Sequence, residues 1–136
     1  MTGDRAEYLL QISWVYTRDI EAAARFYGDL IGLPCLRESE DNRLFLTAPT
    51  AAIGICREFA DRVVEPRGGM ISIVTADVNA CYERMKANGA DIDHPPRRLE
   101  QFGIRSFFLH DPDGYVIEIQ QFDEDDGLPP LTSPSA

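Results

Sequence analysis

The sequence predicts an α+β domain built from two tandem βαβββ modules, whose curved mixed sheets enclose a cup. Three observations carry this. Short β-branched and aromatic runs alternate with two amphipathic stretches at helical spacing. A strand-helix start recurs, with Asp77 repeating Asp19 about 58 residues on. The 136 residues suit a single domain.

The first module is read over about 8–57. Leu10 to Tyr16 is β-branched and aromatic and predicts a strand. Asp19 follows as a helix N-cap, with Glu21 in the first turn. Ile20, Ala23, Ala24, Tyr27, Leu30 and Ile31 form one apolar stripe. Gly32 ends that helix and Pro34 prevents its return. Strands are expected at Cys35–Glu40, Arg43–Thr47 and Ala51–Cys56, with Asp41-Asn42 and Pro49-Thr50 as turns.

Arg57 to Gly69 is polar and reads as a linker. The second module, about 69–122, repeats the pattern. Met70–Thr75 is a strand and Asp77 a second N-cap. Val78, Cys81, Tyr82 and Met85 form the helical stripe, which Gly89 closes. A short strand is expected near Ala90–Asp93, broken by His94-Pro95-Pro96. Ile104–His110 and Tyr115–Gln121 are strands joined by the turn Asp111-Pro112-Asp113-Gly114. The domain spans 1–126, and the Pro- and Ser-rich residues 127–136 read as a disordered tail.

Composition narrows the function. A net charge of −10 argues against nucleic acid, which demands a basic face. No apolar run is long enough to span a membrane, and the polar start does not resemble a signal peptide. A cytoplasmic protein is expected. Cys35, Cys56 and Cys81 are odd in number and widely spaced, which argues against a disulfide framework; each is read as a small buried hydrophobe.

Several motifs share one order and spacing with a known family. Asp19-Ile20, Phe26-Tyr27 and Ile31-Gly32-Leu33 resemble the first-module signature of the glyoxalase/bleomycin-resistance/extradiol dioxygenase (vicinal oxygen chelate) superfamily. Asp77-Val78 with Gly89-Ala90 resembles its second helix. Phe102-Gly103, Phe107-Phe108, Asp111-Pro112-Asp113-Gly114-Tyr115 and Ile117-Glu118 resemble its closing hairpin. The resemblance covers roughly 8–122.

In that family, metal-dependent members line the cup with His, Gln or Glu. The resemblance places those positions at Ile12, Gly54, Met70 and Glu118. Only Glu118 is a carboxylate, and one carboxylate beside an alkyl chain, a glycine and a thioether does not build a site for a divalent ion. A one-residue slip to Gln11 turns that side chain to the opposite face. His94 and His110 fall at none of these positions. No metal and no cofactor are expected.

Strand alternation splits each strand into two faces, and the family register implies that the cup is lined by Ile12, Trp14 and Tyr16; Ala52, Gly54 and Cys56; Met70, Ser72 and Val74; and Val116, Glu118 and Gln120. Trp14 and Tyr16 are read equally as ligand platform or as core, and Met70 as core filler. Glu118 is read as a ligand anchor or a relic of a metal site ahead of a general base. The facing of Arg105 and His110 stays open. The expected function is metal-independent binding and sequestration of an antibiotic-like or cationic aromatic small molecule, and the resemblance implies a homodimer. The alternative is a lyase, isomerase or dioxygenase that uses Glu118 as base or as ligand to a divalent metal.

Overall fold

A computed structural model describes residues 6–123; the expected tail at 127–136 lies outside the described residues. The elements follow the order β1 (Gln11–Thr17), α1 (Ile20–Ala24), β2 (Cys35–Glu38), β3 (Asn42–Ala48), β4 (Ala51–Arg57), β5 (Met70–Val74), α2 (Val78–Ala87), β6 (Arg97–Leu99), β7 (Ile104–His110) and β8 (Val116–Phe122). They form two four-stranded sheets, β1-β4-β3-β2 and β5-β8-β7-β6. In each, the first and last strands of the module in sequence pair in parallel and the rest antiparallel. This is the repeated βαβββ topology expected.

The repeat has a local chemical basis. Asp19 Oδ1 accepts from the Ala22 amide at 3.1 Å, and Asp77 Oδ1 from the Ala80 amide at 3.0 Å. Each satisfies one orphan donor of a helix N-terminus. Thr17 and Thr75 each accept, through Oγ1, from the amide of the capping Asp two residues on. Gly32 and Gly89 lie just beyond the helical segments with φ of 89° and 93°, a conformation that disfavours any side chain.

The first helix departs from a plain α-helix. After Ala24 the chain continues as a wider π turn over Arg25–Leu30. There the Ile31 amide donates to the Phe26 carbonyl at 3.0 Å. Phe26 and Tyr27 are both buried by this arrangement, their rings meeting edge to face with centroids 4.9 Å apart.

One core joins the modules. Val15, Phe45, Ile53 and Ile55 of the first sheet share it with Phe107, Leu109, Ile117 and Ile119 of the second, and with α1 and α2. Polar links cross the same boundary. Tyr27 donates through its hydroxyl to Asp111 Oδ2 at 2.8 Å, and Asn88 donates to the Asp29 carbonyl at 3.2 Å.

Two expectations need correction. Ala90–Asp93 makes only a single bridge, Ile92 to Leu109; the strand is Arg97–Leu99, beyond Pro95 and Pro96, which lack the N–H a ladder needs. Cys35 is exposed on β2, while Cys56 and Cys81 are buried. No helix among the described residues is long and apolar enough to cross a membrane.

Candidate ligand cup

Alternation along each strand separates two faces. Odd-numbered Ile53, Ile55, Ile117 and Ile119 enter the core. The even positions Ile12, Trp14, Tyr16, Gly54, Met70, Ser72 and Glu118 therefore lie on the opposite, helix-free faces.

On the first sheet Trp14 sits directly across from Gly54 in the parallel β1–β4 pair. The indole lies on the glycine: a Cβ at residue 54 would stand 2.5 Å from Trp14 Cε3. Trp14 remains 42% exposed, so it is no core residue. Tyr16 lies edge-on to Phe59 with centroids 6.3 Å apart. Ile12 is half-buried opposite Ala52.

On the second sheet the equivalent pair is Ser72 across from Glu118. Glu118 is buried, yet its Oε1 accepts from Ser72 Oγ at 2.6 Å and from Gln120 Nε2 at 3.2 Å. These bonds orient the carboxylate and leave Oε2 without a protein partner among the described residues. Met70 is 54% exposed, which corrects its reading as core filler: as the first residue of β5, opposite Val116, it is left uncovered. No hydrogen bond or ring contact joins the Trp14 group to the Glu118 group among the described residues.

The register also brings in residues the sequence reading left out. Phe108 pairs with Glu118 and Ser106 with Gln120. Ser106 Oγ is buried without a hydrogen-bond partner. The signal was the tight turn at Asp111–Gly114, which sets the pairing of His110 with Val116 and hence every pair behind it. Both histidines approach this sheet. His94 meets the Phe108 ring with centroids 6.2 Å apart, and exposed His110 shares the Glu118 face. Arg105, paired with Gln121, lies on the other face.

The donor set at the family's metal positions is an alkyl group at Ile12, no side chain at Gly54, a thioether at Met70 and one carboxylate at Glu118. It does not fit a divalent ion, which requires several hard oxygen or imidazole donors. No cluster of three His, Cys, Asp or Glu that could hold a metal occurs among the described residues.

The chain belongs to the Glyoxalase/Bleomycin resistance protein/Dioxygenase superfamily, whose family model matches residues 8–119. It is similar to a probable lactoylglutathione lyase of Vibrio cholerae, 28% identical over 116 residues, spanning 76% of this chain and 83% of that protein. Its fold is similar to a glyoxalase/bleomycin resistance protein/dioxygenase from Nocardioides, with a TM-score of 0.71 at 17% identity over 96% and 93% of the two chains. A lactoylglutathione lyase from Agrobacterium tumefaciens gives a TM-score of 0.68 at 20% identity over 86% and 95%.

Proposed function

We propose that this protein is a metal-independent binder of a flat, cationic small molecule, acting in the cytoplasm as a homodimer. The observation that carries the reading is Trp14, laid flat on Gly54 and half-exposed rather than packed in the core. An indole face so held offers stacking and cation–π attraction. Glu118, oriented by Ser72 and Gln120, supplies the anionic anchor. Ile12, Tyr16, Gly54 and Met70 supply the apolar walls expected of a small-molecule site. The exposed Met70 and Val74 at the ends of β5 are apolar surface that a second copy would cover.

The test is a titration of Trp14 emission with ethidium and with bleomycin as cationic aromatic probes. Saturable quenching, weakened about tenfold or more in Glu118→Gln, is expected from loss of a charged partner. Equal binding by the variant, or chemical conversion of the probe, overturns the reading.

A second reading is favoured by the name of the Vibrio cholerae relative: a lyase in which Glu118 acts as base. It requires turnover of S-lactoylglutathione or its precursor that disappears in Glu118→Gln while the fold persists.

A further inference from the structure

One pocket lies away from the cup. It is a pocket of about 200 Å³ lined by Asn79, Arg98, Arg105, Gln121, Phe122 and Asp123. It sits at the α2 N-terminus, where Gln121 Oε1 accepts from the Val78 amide at 2.9 Å. Arg105 and Gln121 occupy the sheet face opposite Glu118, so this pocket is independent of the proposed function.

Its charge arrangement is unusual. Arg98 and Arg105 stand directly opposite one another in the β6–β7 ladder. Like charges so placed repel and cost stability. One carboxylate answers them: Asp123 Oδ2 lies 2.6 Å from Arg98 Nη2. Arg105 makes no ion pair or hydrogen bond among the described residues. The chain carries a net charge of −10, yet two arginines paired across the ladder both line this pocket. The Gln121 bond uses its oxygen, which leaves the amide nitrogen as a donor beside Asn79.

We propose that this pocket is an oxyanion site, built for the oxygens of a phosphate or carboxylate group. Guanidiniums present paired N–H donors in a planar fork that matches such groups. An anion between Arg98 and Arg105 relieves their mutual repulsion. Two sources of that chemistry exist: a free ligand, or the carboxylates of Glu124-Asp125-Asp126 that follow Asp123 in the chain.

The experiment is calorimetric titration of the full chain with pyrophosphate in low salt. A second protein carries Glu124→Gln, Asp125→Asn and Asp126→Asn. Saturable binding to the unaltered chain, weakened about tenfold in Arg105→Gln and partly restored in Arg105→Lys, assigns the site to a free oxyanion. Binding that emerges only when the three acids are neutralised, and that also needs Arg105, assigns it to those carboxylates. No binding by either protein, or equal binding by Arg105→Gln, overturns the proposal. Arg105 is exposed, and an unchanged circular dichroism spectrum of the variant verifies the fold.

Discussion

Trp14 and Gly54 form one structural unit: the indole occupies the space a side chain at residue 54 would take. The two are direct neighbours in the β1–β4 pair, and the corresponding neighbours in the second sheet are Ser72 and Glu118. The repeat thus carries an aromatic platform in one module and a held carboxylate in the other.

Gly54→Ala tests that platform. The new methyl would meet Cε3, Cζ3 and Cδ2 of the indole at 2.5 to 2.8 Å, so the ring must leave. Because Trp14 is already half-exposed, it can swing outward without unfolding the sheet. The expected outcome is a folded variant with red-shifted Trp14 emission and about tenfold weaker probe binding, equivalent to losing a cation–π contact. Unchanged emission and binding would mean the indole takes no part in recognition.

Tyr27→Phe tests the link between modules. The Tyr27 hydroxyl donates to Asp111 Oδ2 at 2.8 Å, with both groups buried. Burial, reinforced by the neighbouring Asp111 carboxyl, pushes the phenol far above its ordinary range, so it stays a donor. Its removal leaves a buried carboxyl oxygen unpaired, at a cost of about 1–2 kcal/mol. Thermal unfolding should fall by roughly 3–8 °C. A midpoint within a degree of the parent would show that water replaces the bond.

Asp111 gives a pH signature of definite sign. Burial raises its carboxyl above the ordinary 3.8, against the opposing pull of the Tyr27 hydroxyl and of the Tyr115 and Asp113 amides. The folded state therefore holds this proton more tightly than the unfolded chain. The resulting stabilisation is complete below 3.8 and is lost as pH rises through the raised value. Asp111→Asn cannot titrate, so the stability of the parent relative to the variant should decline across that window and then level off. Glu21, held low by the hydrogen bond and charge of Arg43, contributes in the opposite sense but is common to both proteins. Urea midpoints measured from about pH 3 to pH 8 give the difference curve; a flat or rising difference would contradict the assignment.

Much of the architecture was legible because local chemistry repeats. The Asp19 and Asp77 caps mark both helix starts, and Ile104–His110 was bounded by a glycine and by the Asp111 turn. The misplaced sixth strand came from reading Ala90–Asp93 as extended and stopping at the prolines, whereas the chain rejoins the sheet only after them. The division of each strand into two faces followed from strand period. Whether Trp14 and Met70 are covered did not, because coverage depends on what the other module places above each sheet. Phe108 and Ser106 were missed because the hairpin register was not carried back from its turn.

Metal affinity provides the sharpest test of the cup's chemistry. A carboxylate bonded to Ser72 and Gln120 offers one hard donor, and divalent ions take several. Protein expressed without a histidine tag, with zinc, nickel, iron and manganese supplied, should carry less than about a tenth of an equivalent of each by mass spectrometry, since no second ligand closes a site. Near one equivalent of one metal, lost in Glu118→Ala, would mean that ligands from a second copy complete the site. In that case the protein should be assayed as a metalloenzyme, with Glu118 as ligand rather than anchor.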